Sequence, residues 1–138
     1  MKMRILVLCT GNSCRSQIAE GFLKKYLPQG SEVYSAGLDP QGVNPKAVIV
    51  MNEVGIDLSG HTSNHLNDYI DMQFDYIITV CDNAKEKCPI FPGGGKKVHL
   101  PFDDPADAVG SEEEILEEFR RIRNEIEKTV ELAVKSFL

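Results

Sequence analysis

"RILVLCTGNSCRSQ", residues 4–17, is an apolar run that leads into a glycine-containing loop. A short apolar run followed by a glycine turn is typical of a buried parallel strand, which predicts a strand over Arg4–Leu8. In the next segment, residues 16–27, apolar side chains recur at the spacing of one helix face, which predicts a helix. The chain therefore opens with a strand, a loop and a helix, the first unit of an α/β fold.

Strands and helices continue to alternate along the rest of the chain. Further strands are predicted over 33–35, 74–80 and 97–100, and further helices over 45–54 and from Ser111 onward. Asn44 is the predicted N-cap of the second helix, and Ser111 with Glu114 forms a capping-box pattern before the last one. The alternation predicts a doubly wound α/β protein with a single four-stranded parallel sheet of order 2-1-3-4, flanked by helices. A length of 138 residues fits one domain over 1–138.

Composition excludes several classes of protein. The formal net charge of −6 argues against a nucleic-acid surface, since phosphate neutralisation needs clustered Lys and Arg. No segment is apolar over the length that a membrane span requires. We expect a cytoplasmic monomer with neither a nucleic-acid nor a membrane partner. In that reducing compartment, the four cysteines are more often metal-binding, catalytic or inert than structural disulfides.

The loop after the first predicted strand has the properties of an anion site. Backbone N–H groups and the positive end of the following helix dipole converge there, and Arg15 adds a planar fork that can hold an oxyanion bidentately. Cys9 at the mouth of this loop is favoured as a thiolate, to which Ser16 can donate a hydrogen bond. The predicted oxyanion-binding and thiolate-supporting residues are Thr10, Gly11, Asn12, Ser13, Cys14, Arg15 and Ser16. Cys14 is interpreted mainly as a packing residue, and the loop as a site for nucleophilic catalysis on phosphate-like substrates.

These motifs resemble a known family. Cys9-x5-Arg15-Ser16 after the first strand resembles the low-molecular-weight tyrosine phosphatases, and "CTGNSCRSQIAEG", residues 9–21, resembles their thioredoxin-coupled arsenate reductase branch. The similarity extends over nearly the whole chain through "YSAG" (34–37), "GIDLSGHTS" (55–63) and "FDDPA" (102–106).

The resemblance implies a reaction in which three cysteines act in turn. Cys9 would attack arsenate while Asp104 protonates the leaving oxygen. Cys81 would then attack Cys9, forming a Cys9–Cys81 disulfide, and Cys88 would attack Cys81, leaving a Cys81–Cys88 disulfide for thioredoxin to reduce. Phosphate and sulfate would compete with arsenate, and weak phosphatase activity would accompany the reductase. No tightly bound cofactor is implied.

The order of the strands gives this sequence of attacks a physical basis. In a 2-1-3-4 sheet, strands 1 and 3 are neighbours, so Cys9 and Cys81 lie at adjacent carboxyl ends. If 82–87 were helical, the Cα atoms of Cys81 and Cys88 would lie roughly 10 Å apart. A disulfide needs about 4.4–6.8 Å, so we expect this segment to unwind when the two cysteines are oxidised.

Three alternatives bear on the function and its cofactors. The first is a phosphatase of the same fold, although Ala106 and Asp107 follow Asp104-Pro105 where related phosphatases carry aromatic residues. The second is a zinc site made of the four cysteines, whose second spacing, C-x6-C, is longer than usual. The third, implied by the resemblance, is a potassium ion beside the loop. Its candidate ligands are Asn12, Glu20, Ser35 and Asn64, and the last stands where related enzymes carry aspartate.

Overall fold

A computed structural model describes residues 2–82 and 86–138, and Met1 and residues 83–85 lie outside the described part. Four parallel strands form one sheet in the order β2-β1-β3-β4, which confirms the predicted topology. The elements in chain order are β1 (Arg4–Cys9), α1 (Arg15–Tyr26), β2 (Glu32–Gly37), α2 (Pro45–Asn52), β3 (Tyr76–Thr79), β4 (Lys96–His99) and α3 (Glu112–Phe137). Short 3₁₀ helices occupy Leu66–Tyr69 and Pro105–Asp107.

The strand β1 lies at the centre of the sheet and is buried on both faces. Side chains alternate along a strand, so Ile5, Val7 and Cys9 point to one side while Leu6 and Leu8 point to the other. The first set joins a core made with all three α-helices. The second set packs in a smaller core with the 3₁₀ helix and aromatic side chains of neighbouring loops. Cys9 therefore lies on the helix-covered face of the sheet.

The predicted elements are present, with shifts at their ends. The strand predicted over 74–80 forms regular pairing only over Tyr76–Thr79. Phe74 instead turns its ring into the smaller core, 5.8 Å from the ring of Phe91. The helix predicted over 45–54 has its N-cap at Asn44 and ends at Asn52. Gly55, with φ of +80°, then turns the chain in the left-handed conformation that often follows a helix.

The helix α3 begins and packs as its sequence predicts. Ser111 accepts a hydrogen bond from the Glu114 N–H, and the Glu114 carboxylate accepts one from the Ser111 N–H, which is a complete capping box. Its apolar stripe is buried against α1 and α2, and Arg123 donates to the Val50 carbonyl at 2.9 Å and to Glu53 at 2.8 Å. No helix of the described residues is long and apolar enough to cross a membrane.

Replacing Ser111 with alanine removes the N-cap of α3 and leaves the Glu114 N–H without its side-chain acceptor. The free energy of unfolding is expected to fall by about 1 kcal/mol, measured by urea denaturation. Ser136→Ala is the matched control, since the Ser136 hydroxyl donates to the Ala133 carbonyl near the end of the same helix. An equal loss in both variants would contradict a specific role for the cap.

Candidate active site

The loop between β1 and α1 is held from outside through its carbonyl oxygens. The N–H groups of Asp39, Gln41 and Asn44 donate to the carbonyls of Thr10, Gly11 and Ser13 at distances of 2.9–3.0 Å. The Asn12 carbonyl accepts from the side chains of Gln17 and Ser63. In a trans peptide the C=O and the following N–H point in opposite directions. The N–H groups of residues 11–14 consequently face the other side of the loop, as an anion cradle requires.

Gly37 allows this loop to lie close to the sheet. It pairs with Cys9 at the carboxyl end of β1, directly under the loop. A Cβ atom at this position would lie 2.5 Å from the Thr10 carbonyl oxygen and 3.0 Å from the Asn12 nitrogen. Any side chain here would push the loop away from β2, so glycine is a steric requirement of the site.

Asn12 stabilises the loop from within. Its φ of 48° lies in the left-handed region, which asparagine tolerates better than most residues. Its side-chain oxygen accepts from the Asn64 N–H at 2.8 Å, and its amide nitrogen donates to the Ser16 hydroxyl oxygen at 2.8 Å. Asn12 is fully buried, so its bonds are protected from water.

The side chains of Cys9 and Ser16, which the sequence analysis pairs, lie within hydrogen-bond distance of each other. The Cys9 Sγ lies 3.0 Å from the Ser16 Oγ, and both side chains are buried. Because the Ser16 oxygen already accepts a hydrogen bond from the Asn12 amide, its own hydroxyl group is available to donate to the Cys9 sulfur.

Arg15 places its guanidinium at the base of the cleft, with its side chain only 3% exposed. One nitrogen, Nη1, donates to the Phe102 carbonyl at 3.1 Å, and the other, Nη2, lies 3.4 Å from the Asp104 carboxylate. The same two nitrogens also donate to the two carboxylate oxygens of Glu86, at 2.6 and 2.8 Å. The fork is thus filled by an anion from the protein itself.

Asp104 lies on the loop after β4, within reach of the same guanidinium. One of its oxygens accepts from the Ala106 N–H at 3.0 Å, which makes it the N-cap of the 3₁₀ helix Pro105–Asp107. The other oxygen faces Arg15, and the side chain is 28% exposed. The Asp104 carboxylate is therefore close enough to exchange a proton with an anion bound to the Arg15 guanidinium.

Cys81 and Cys88 are joined in a disulfide, with their Cα atoms 5.8 Å apart. Leu8 pairs with Thr79, and the Val80 N–H donates to the Leu8 carbonyl, so Cys9 and Cys81 lie at neighbouring carboxyl ends of β1 and β3. Cys81 is fully buried in the same core as Cys9. Residues 83–85 of the segment expected to unwind lie outside the described residues, and its rearrangement on oxidation stays a prediction.

The candidate potassium ligands are engaged with protein donors. Glu20 accepts from the Ser35 hydroxyl at 2.5 Å and from the Lys24 ammonium at 2.7 Å. The side-chain oxygens of Asn12 and Asn64 accept from the Asn64 N–H and the Thr62 hydroxyl. This arrangement does not fit an alkali cation, because an ammonium group already neutralises the only carboxylate of the set. The signal was present in the sequence, as Glu20 and Lys24 stand four residues apart on α1.

The zinc alternative also fails in this arrangement. The thiols of Cys81 and Cys88 are bonded to each other and cannot be ligands. Within residues 2–82 and 86–138, no group of three or more His, Cys, Asp or Glu side chains is placed to hold a metal ion.

The site opens into a cleft of about 550 Å³ with strongly acidic walls. The described residues that line it are Thr10, Gly11, Arg15, Asp39, Gln41, Asp82, Glu86, Asp103, Asp104, Asp107, Ala108 and Glu118. Arg15 is the cation of this set, and the set contains no aromatic side chain. The guanidinium favours an anion in spite of the surrounding carboxylates, and the lining offers no aromatic surface to an aryl group.

Cys14 is set apart from the other cysteines by its surroundings. It is 4% exposed, and burial raises the pKa of its thiol to about 12. At pH 8 in the native protein, iodoacetamide is expected to alkylate Cys14 more than about a thousandfold more slowly than a free cysteine, because the thiolate reacts. Peptide mass spectrometry after labelling in buffer and in urea measures this. Equal labelling of Cys14 in both solvents would contradict its assignment as a buried neutral thiol.

Comparison with known proteins agrees with this architecture. A family model described as low molecular weight phosphotyrosine protein phosphatase matches residues 4–137. An arsenate reductase of Halalkalibacterium halodurans is 49% identical over 129 residues, covering 94% of this chain and 93% of the relative. One from Shouchella clausii is 51% identical over 125 residues, covering 91% and 90%.

A solved structure extends the similarity to three dimensions. An arsenate reductase in a phosphate-binding state superposes with a TM-score of 0.80 at 33% sequence identity, covering 99% of this chain and 98% of that chain. Both sequence and fold thus match over almost the full length. The chain belongs to the low molecular weight phosphotyrosine protein phosphatase family, in which these similar relatives are arsenate reductases.

Proposed function

We propose that this protein reduces arsenate to arsenite by a relay of three thiols, Cys9, Cys81 and Cys88, with thioredoxin as the reductant. One observation carries the proposal. A Cys81–Cys88 disulfide adjoins the strand end that carries Cys9 and the Arg15 loop. A hydrolase that acts through Cys9 alone has no use for a redox pair at this position. The arsenate reductase relatives support the same assignment.

Arsenate binding and the first bond are assigned to the loop. The guanidinium of Arg15 and the N–H groups of residues 11–14 hold the oxyanion while the thiolate of Cys9, supported by Ser16, attacks arsenic. Asp104 donates the proton with which one arsenate oxygen departs as water. The product of this step is an arsenate thioester of Cys9, in which arsenic is still pentavalent.

Reduction follows from thiol exchange. The thiolate of Cys81 attacks the Cys9 sulfur, and the electron pair of the sulfur–arsenic bond leaves with arsenic as trivalent arsenite. Cys88 then attacks Cys81, and Cys9 departs as a thiolate. Two thiols lose two electrons in total, and arsenic gains them. The relay leaves a disulfide between Cys81 and Cys88, and the same two cysteines are bonded in the structure.

Thioredoxin is the proposed partner because the cycle needs an external dithiol to close. The Cys88 side of the disulfide is the accessible side, since Cys88 is half-buried whereas Cys81 is fully buried. Attack by one thioredoxin thiolate on the Cys88 sulfur frees Cys81 and forms a mixed disulfide with Cys88. The second thioredoxin thiol then attacks the thioredoxin sulfur of that bond, which frees Cys88 and leaves the disulfide in thioredoxin. We also propose that the chain acts as a cytoplasmic monomer with one domain over 1–138.

Slow hydrolysis of small phosphate esters is a second activity of the same loop. The guanidinium and N–H donors match phosphate as well as arsenate in geometry and charge. The cleft lining favours small esters over phosphotyrosine, since the exposed Ala106 and Asp107 follow the Asp104-Pro105 pair. The family match to a phosphatase model is consistent with such a side activity.

The relay predicts how single cysteine replacements affect turnover. In a coupled assay with thioredoxin, thioredoxin reductase and NADPH, wild type is expected to consume NADPH continuously when arsenate is added. Cys88→Ser is expected to stop after about one turnover, because the Cys9–Cys81 disulfide cannot be resolved. Cys9→Ser is expected to be inactive from the first turnover.

Hydrolysis of an aryl phosphate provides the control for these variants. It requires Cys9 and not Cys88, so Cys88→Ser should retain it and Cys9→Ser should lose it. The reductase assignment would be overturned in favour of a phosphatase by two results together. Wild type would show no arsenate-dependent turnover, and wild type and Cys88→Ser would hydrolyse the aryl phosphate equally fast.

A further inference from the structure

Glu86 is the residue of this site that the sequence did not reveal. Its carboxylate lies beside the anion loop, where its two oxygens accept from the two terminal nitrogens of Arg15 at 2.8 and 2.6 Å. The Thr10 hydroxyl lies 2.6 Å from one oxygen, and the Asp82 N–H donates to the other at 3.2 Å. A carboxylate that is held in this way occupies the guanidinium fork that an oxyanion would use.

We propose that Glu86 is a tethered anion that fills the oxyanion site while the Cys81–Cys88 disulfide is in place, so that oxidised protein excludes arsenate and phosphate until it is reduced. The inference rests on the proposed function for the identity of the oxyanion and for the disulfide as a working state. Its direct basis is the bidentate contact with Arg15 in the disulfide-bonded protein.

The disulfide places Glu86 where this contact is possible. Glu86 stands two residues before Cys88, and its N–H donates to the Asp82 carbonyl at 3.0 Å. The bonded cysteines hold their Cα atoms 5.8 Å apart, whereas a helix over the same seven residues would hold them roughly 10 Å apart. Reduction by a dithiol adds two electrons and two protons, breaks the sulfur–sulfur bond and removes this restraint. The position of Glu86 is thereby coupled to the redox state of the cysteines.

The charges at the site favour the tethered group. Burial would raise the pKa of Glu86, but hydrogen bonds from Arg15 and Thr10 outweigh it and lower the pKa to about 2 from 4.5. The carboxylate is therefore ionised at neutral pH, and its contribution to the oxidised fold is lost only as pH falls below 4.5 toward 2. A free oxyanion would also have to enter past several other carboxylates of the cleft. A tethered group competes at an effective concentration on the order of millimolar.

Occupation of Arg15 has a consequence for the catalytic cycle. A second arsenate bound to oxidised protein would occupy a site that has no thiol pair left to complete its reduction. Filling the site with Glu86 prevents this unproductive complex, and reduction reopens the site. Because coupling between two equilibria is reciprocal, oxyanion binding should in turn favour the reduced dithiol.

Phosphate binding tests the proposal without any redox chemistry of arsenic. Calorimetric titration at fixed ionic strength compares oxidised and reduced protein in wild type and in Glu86→Gln, with Glu86→Ala as a second variant. Oxidised wild type is expected to bind phosphate at least about tenfold more weakly than reduced wild type, the scale of a charge-assisted bidentate contact. Oxidised Glu86→Gln and Glu86→Ala are expected to bind phosphate within about threefold of their reduced forms. The side chain at position 86 then competes with phosphate for Arg15 weakly or not at all, so the redox state changes the phosphate affinity little.

Glu118→Gln is the matched control. Glu118 lines the same cleft, but its carboxylate pairs with Arg121 and not with Arg15. Glu118→Gln should therefore keep the difference between redox states, although it removes the same charge. Thiol counting verifies the disulfide, and thermal melting verifies the fold of each variant.

Two outcomes would overturn the proposal. One is equal phosphate affinity of oxidised and reduced wild type, and the other is an oxidised Glu86→Gln or Glu86→Ala that binds as weakly as oxidised wild type. Neither depends on arsenate turnover. If phosphate affinity depends on the redox state as expected but the protein fails the coupled arsenate assay, the inference on Glu86 stands. Only the reductase function is then refuted.

Discussion

The parallel pairing of β1 with β3 is the constraint on which the site depends. The register that aligns Leu8 with Thr79 brings Cys9 and Cys81 to the same edge of the sheet. Since β1 is buried on both faces, a slip of one residue would turn Cys9 away from α1 and place it in the smaller core. The two cores therefore fix which thiol faces the loop, and with it which cysteines are in reach of each other.

The buried charge of Arg15 links this arrangement to ligand binding. A guanidinium only 3% exposed needs an anionic partner, because a buried charge left unpaired costs about 3–5 kcal/mol. Glu86 meets that need in the disulfide-bonded protein, and an oxyanion is suited to meet it after reduction. The same cation thus has two alternative partners, one tethered and one free. Asp104, 3.4 Å from the same guanidinium, is the second carboxylate of the site.

Much of this structure follows from local sequence patterns, and the remainder depends on contacts between distant segments. The apolar run before Cys9 predicts β1, and the Ser111–Glu114 pair predicts the start of α3, because strand burial and helix capping are local effects. The contact of Glu86 with Arg15 joins residues 71 positions apart. It depends on how two distant segments of the chain are placed, so no local pattern predicts it. The ion pair of Lys24 with Glu20 is of the opposite kind, because a spacing of four residues on α1 makes it a local contact, and it engages the carboxylate of the candidate potassium site.

The most direct test of a thiol relay across β1 and β3 is to trap its intermediate. Reduced Cys88→Ser protein is mixed with one equivalent of arsenate, quenched with acid, digested and mapped by mass spectrometry without reductant. A relay predicts a peptide pair linked through Cys9 and Cys81, formed together with one arsenite per protein. Arsenite release without that linked pair, or a mixed disulfide of Cys9 with Cys14 in its place, would contradict it.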